Sequence, residues 1–222
     1  LEFQVFDTDI EGETMSVLLM PNGAALSKLP TWGTMADFDY TVEVRVTSET
    51  PGAEEPHLSL QCWRPKGPSQ GPDTDTGALV EIKVPVSQPA EVVQGAFSET
   101  SLSPATLGVD QWHYLRVRRH SYDGTVSAWL GDEELFSNAG PEDAGPVEEC
   151  YLYLAAVGVD LHVNEVLAVH GSQNNGFVGR ADNLDCESPA TLLYYGFGGP
   201  GGQCRYDDSD PDYGPYFCQW SG

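Results

Sequence analysis

Two groups of side chains in this sequence have the types and spacing to do chemistry. Trp112, Tyr114, Arg116 and Arg118 fall at alternate positions, with apolar Leu115 and Val117 between them, so an extended chain places all four on one face. Trp129, in the run that follows, stands beside them if the two runs pair as neighbouring strands. Aromatic plates next to guanidiniums that donate in pairs suit sugar rings and their anionic substituents. The cluster Arg116, Arg118, Arg119 and His120 is the one basic spot in an acidic chain. In the plainer alternative, Trp112 packs at a sheet edge and the arginines pair with Asp110, Asp123 or Glu133, ion pairs of small worth at a surface. A third use of the stripe is lyase chemistry: Tyr114, or His113 or His120, as base beside Arg116 and Arg118, which would stabilise a sugar carboxylate.

The second group is acidic. In Asp207-Asp208-Ser209-Asp210-Pro211-Asp212-Tyr213-Gly214, the carboxylates of Asp208, Asp210 and Asp212 recur at alternate positions ahead of a glycine. Acidic loops converge oxygens on a hard cation in this way, and without one the carboxylates repel. Calcium is therefore the cofactor the sequence favours, against a merely solvated acidic turn. The run is not an EF-hand loop, because Tyr213 separates the third acid from the glycine and no closing Glu follows. Asp7 with Asp9, and Asp73 with Asp75, are weaker candidates of the same kind.

Five cysteines, Cys62, Cys150, Cys186, Cys204 and Cys218, show no C-x-x-C spacing. They read as disulfide partners with one thiol over. Three of them fall in a tail rich in Gly, Tyr and Asp, which has too little aliphatic surface to hold itself together. Cys186 with Cys204 or Cys218 is the expected bridge there, while Cys62 and Cys150 either pair or stay as buried thiols. Bridges persist in oxidising compartments, so the expectation is a secreted, extracellular protein. Leu1 to Ile10 lacks the cationic start and apolar core of a signal peptide, as a trimmed mature chain would. No N-x-[ST] sequon occurs.

The chain of 222 residues carries 34 Asp and Glu against 10 Lys and Arg, a net charge of -24. Such a field repels nucleic acid, whose binding draws on neutralised phosphates, and it repels anionic membrane surfaces. No apolar run is long enough to span a bilayer. The acidity otherwise fits solubility, cation binding or life in high salt.

The elements that position these groups are strands. Tyr40, Val42, Val44 and Val46 alternate with Thr41, Glu43 and Arg45, the period of a strand with one wet face. The same pattern runs through Leu58 to Trp63, Leu79 to Val86, His113 to Arg119 and Thr125 to Leu130, each bounded by Gly, Pro or Asp turns. Tyr151 to Val157 and Leu161 to Val169 are further apolar runs with Gly158 as a bulge or bend between them, and Pro141 to Glu149 is loop by composition. Many short strands at even spacing predict an all-β sandwich or barrel. Residues 1–170 form that domain, and 171–222 form a Cys/Gly/Tyr-rich C-terminal extension laid across it.

Three segments, in order, carry a resemblance. Asp37-Phe38-Asp39-Tyr40-Thr41-Val42-Glu43-Val44-Arg45, the hairpin Asp110-Gln111-Trp112-His113-Tyr114-Leu115-Arg116-Val117-Arg118-Arg119 to Asp123-Gly124-Thr125 through Leu135, and Leu161 through Val169 are similar to the laminin-G/concanavalin-A-like superfamily. The resemblance implies an antiparallel β-sandwich of the jelly-roll type. It is shared by lectins, adhesion modules, glycosidases and lyases, so it speaks to fold more than to function. Gly131-Asp132 stands where that superfamily has Asp-Gly after the second hairpin strand. The glucanase-type E-x-D-x-x-E strand is absent, as are a G-x-S-x-G elbow and an H-E-x-x-H helix. The sequence thus leads to a calcium-assisted binding module for a glycan or an extracellular protein partner, with a polysaccharide lyase or an acidic matrix protein as alternatives.

Overall fold

A strand with one apolar face must cover it, and a second strand layer of the same kind does so. The computed structural model describes residues 4–10, 13–27, 38–66, 73, 75–120, 122–141, 147–169, 191–196, 203–206 and 216–219. Among these there is no helix. The strands are β1 (Gln4–Ile10), β2 (Glu13–Met20), β3 (Ala25–Ser27), β4 (Phe38–Glu49), β5 (His57–Trp63), β6 (Ala78–Pro85), β7 (Glu91–Gln94) and β8 (Phe97–Thr100). They continue with β9 (Trp112–Arg119), β10 (Val126–Leu130), β11 (Glu133–Ala139), β12 (Tyr151–Val157), β13 (Val159–Val169), β14 (Thr191–Gly196), β15 (Gln203–Tyr206) and β16 (Tyr216–Gln219).

Two antiparallel sheets form the sandwich. One has eight strands in the order β1-β2-β13-β4-β9-β10-β11, with β14 added on β13; the other has six, β3-β12-β5-β6-β7-β8. Hairpin neighbours pair within each sheet, while β2–β13, β4–β13, β4–β9, β3–β12 and β5–β12 join strands distant in sequence because the chain crosses repeatedly between layers, and the result is a jelly-roll sandwich. The predicted strands all form, within two residues of the expected ends except that β4 runs three residues past Val46. The interior is closed by Val42, Val44, Leu115 and Val117 from the larger sheet against Leu60, Val80, Ile82 and Leu154 from the smaller, each at most 1% exposed. Truncating one of them, Leu154 for instance, costs about 2–5 kcal/mol through lost burial and the cavity left behind.

Two turns rest on glycines at positive φ, one at a crossing between the layers and one in a hairpin of the larger sheet. Gly158 lies between β12 and β13, where the chain leaves the smaller sheet for the larger, and its φ is +67°. It is the bend the sequence placed there. At the β10–β11 hairpin Leu130 pairs with Glu133, leaving a two-residue turn in which Gly131 has φ +60° and Asp132 does not lie in that region. Glycine first is the order a type II′ turn asks for, so Gly131-Asp132 closes the hairpin without the reversed pair.

Cys62 and Cys150 pair as a disulfide, with their Cα atoms 5.3 Å apart. Cys62 lies opposite Leu152 on β12, so the bridge runs diagonally to a residue just before that strand, on the dry side of the smaller sheet. It therefore staples two neighbours of one layer. In the extension, β14 pairs with β13, and Cys204 stands opposite Cys218 in the β15–β16 pair. Cys186 and the acidic group Asp208, Asp210 and Asp212 lie outside the described residues.

Candidate functional site

The outward face of the larger sheet is where chemistry-bearing residues collect. Register across β13, β4, β9 and β10 sorts them into rows. His162 lies opposite Arg45, which lies opposite Trp112. Glu43 is opposite Tyr114; Thr41 is opposite Arg116, which is opposite Trp129; Asp39 is opposite Arg118, which is opposite Ser127. Trp112, Tyr114, Arg116 and Arg118 thus share the wet face of β9, and Trp129 stands next to them. Alternation placed the four of β9 on one face, and the β9–β10 register adds Trp129.

The partners of the arginines differ from those expected. Arg116 Nε donates to Asp39 Oδ1 at 2.9 Å while Nη2 donates to Asp39 Oδ2, a bidentate pair. The Asp39 side chain is 1% exposed and that of Arg116 17%. The Arg116 guanidinium also lies over the Trp129 ring, 5.3 Å from its centroid, a cation–π contact. Asp110, expected to serve the β9 arginines, instead accepts from Arg45 Nη2 at 3.0 Å. Asp123 Oδ1 is taken by the backbone N–H and hydroxyl of Thr125. Arg119 does not join the basic cluster at all. Period two turns it inward, where it is 5% exposed and Nη1 donates to the Glu148 carbonyl at 2.6 Å and approaches Cys62 Sγ at 3.7 Å.

Several residues of this face went unrecognised as site residues: Asp39, Glu43, Arg45, His162 and Asn164. The alternation on β4 puts the first three on the face away from the core, but nothing in one strand says which strand lies beside it. Asn164 is harder still. The β13–β4 register shifts between Val163 and Glu165, a bulge that leaves Asn164 as the extra residue, and its amide donates to Glu43 Oε2. Trp112, Tyr114 and Glu43 border a cleft of about 380 Å³ whose other walls include Ala105, Thr106 and His113.

The histidines near the face have lowered pKa values. Burial lowers the His162 pKa first, and the neighbouring Arg45 lowers it further, against a weaker pull from Asp110. Burial and then Arg118 lower that of His120, which shares a hydrogen bond of 3.2 Å with the Ser127 hydroxyl. His113 is lowered by burial and partly restored by the Gly108 carbonyl.

Among the described residues no group of three or more His, Cys, Asp or Glu is placed to hold a metal ion. Asp73 spends its carboxylate on the Asp75 amide and the Thr76 hydroxyl, and Asp75 faces Lys66 Nζ at 3.6 Å. The wet face of the smaller sheet has its own ordered chain, in which Trp63 Nε1 donates to Gln61, and Gln61 and Ser59 both donate to Glu81 Oε1. Hydrogen bonding there is internal.

No protein-family model matches this chain, and no curated protein matches it in sequence. Among solved structures it is similar to alginate lyase A1-II′, a member of polysaccharide lyase family-7, with TM-score 0.50 and 12% identity over 75% of this chain and 83% of that one. It is also similar to the endo-beta-1,4-glucuronan lyase of the fungus Trichoderma reesei, with TM-score 0.48 and 10% identity over 76% and 87% of the two chains. A third is the carbohydrate binding module CBM66 of Bacillus subtilis, with TM-score 0.41 and 11% identity over 75% and 94%. The likeness is one of fold. What the jelly-roll sandwich of this chain does with its wet face rests on the residues themselves.

Proposed function

We propose that the protein is an extracellular module that binds a glycan on the outward face of its larger sheet. One observation carries this reading: Arg116 is clamped by Asp39 while it lies over Trp129, with Tyr114 and Trp112 further along the same strand. A platform held in this way has lost its side-chain freedom before a ligand arrives, so stacking a sugar ring on it costs little further ordering. The fold shared with a polysaccharide lyase is in keeping with a glycan ligand. The Cys62–Cys150 bridge supports an oxidising compartment. Calcium at Asp208, Asp210 and Asp212 belongs to the proposal, and saturating calcium should then raise the melting temperature over that in chelator, because a ligand of the native state alone adds stability.

A lyase reading draws on a different pair, His162, its pKa lowered, beside Arg45. Binding is preferred because the arginine at the centre of the platform is already committed to Asp39. The test is a glycan array followed by calorimetry on the hits. Binding without loss of oligosaccharide length, weakened tenfold or more in Trp112→Ala, is the expected result. Unsaturated products absorbing in the ultraviolet would replace binding with lyase activity, and no hit would remove the glycan altogether.

A further inference from the structure

We infer that the platform takes an uncharged oligosaccharide, because its guanidiniums are already matched by carboxylates. The inference rests on the proposed glycan face and names the class of sugar. Arg45, Arg116 and Arg118 stand on the outward sides of β4 and β9, and Asp39, Glu43 and Asp110 stand among them. Arg116 is joined to Asp39 through two hydrogen bonds and Arg45 to Asp110 through one; Arg118 lies directly opposite Asp39. Glu43 accepts from the Asn164 amide. With Glu134, which lies opposite Trp129, and Asp110 just before β9, three positive groups therefore meet four negative ones across this face.

A uronate or sulfate entering this face must either take an arginine from its carboxylate or sit beside that carboxylate. The first strands a carboxylate that is almost wholly buried at Asp39, and the second adds like-charge repulsion. Around the face the chain carries a net charge of -24, which opposes polyanions at long range at low ionic strength. A sugar hydroxyl meets neither penalty. It donates and accepts at once, so it can give to a carboxylate oxygen and take from a guanidinium N–H of the same matched pair, while its ring lies on an aromatic plate.

Asp110 is the place to change the balance. Its side chain is 65% exposed and its φ is +60°, a conformation that Asn tolerates as well as Asp does, so Asp110→Asn keeps the turn and removes the negative charge facing Arg45. Calorimetry would compare length-matched neutral oligosaccharides (gluco-, xylo- and manno-) with oligoalginate and oligogalacturonate, on wild type and on Asp110→Asn. The wild type is expected to bind the best neutral series at least tenfold more tightly than either uronate, with affinity hardly changed between low and high salt. In Asp110→Asn that preference should fall at least fivefold. Wild-type preference for a uronate, or a preference unmoved by the substitution, would overturn the inference while leaving the glycan face standing. Binding to neither series would remove both.

Discussion

Asp39 grips Arg116 diagonally across two strands: Arg118 lies directly opposite Asp39, and the carboxylate reaches two residues along β9 to the guanidinium of Arg116. Diagonal neighbours on an antiparallel pair are within reach of long side chains. The contact does more than neutralise a charge, since it holds Arg116 over Trp129 and so sets the geometry of the platform.

Removing one partner of that pair should be costly. In Asp39→Ala a largely buried guanidinium loses its carboxylate, and the expected loss is about 3–5 kcal/mol by urea unfolding with an unchanged m-value. The double change Asp39→Leu with Arg116→Met should recover most of it, since an apolar pair leaves no stranded charge. A single substitution costing no more than an exposed ion pair would contradict this account.

The Cys62–Cys150 bridge closes a long segment, the two residues being 88 apart in sequence. Loops of that size bring a stabilisation of about 2–5 kcal/mol. Replacing both cysteines by serine should lower the urea midpoint accordingly, and mapping of non-reduced peptides should recover Cys62 joined to Cys150. A different partner for either would refute the bridge.

The pH dependence follows from histidines whose folded pKa lies below the ordinary value. Between that lowered value and about 6.5 the unfolded chain binds more protons than the native one, so stability rises with pH through this window. It is fully present above about 6.5 and is lost as pH falls toward the folded pKa. His162, lowered by burial and Arg45 against Asp110, should contribute to this slope, as should His120. The melting temperature is expected to fall from pH 7 to pH 5, and less steeply in His162→Gln. An identical slope in that variant would mean His162 is not held neutral.

Gly158 should tolerate no side chain. A Cβ there would meet the Ala53 Cβ at 2.8 Å and the Pro56 Cα at 3.2 Å, on a backbone already at φ +67°. Its carbonyl accepts from the Thr50 N–H and its N–H donates to Asn22 Oδ1, so the bend cannot shift without breaking the crossing between sheets. Gly158→Ala is expected to cost well over about 1 kcal/mol, the usual scale for an incompatible φ alone. Gly131→Ala, with open space around its Cβ, should cost markedly less in the same measurement.

Much of the sandwich was legible because burial on one face imposes period two, and β4, β5, β6, β9, β10, β12 and β13 all carry that period. The β1–β2 pair was less so. Gln4 to Ile10 mixes acids and threonine into its apolar positions, so this edge strand, which pairs with β2 alone, carries no clear period of its own. The stripe on β9 followed from the same rule that hid Arg119: one residue further along, the side chain points to the other layer.

By itself, the sequence determined which face of its sheet each side chain takes, since that depends only on alternation within each strand. Only the tertiary structure decided who meets whom: Asp39 with Arg116, Arg45 with Asp110, Asn164 with Glu43, Cys62 with Cys150. These pairs join segments between 65 and 121 residues apart. Strand order and a single bulge bring them together, and both come from the packing of the two layers as a whole.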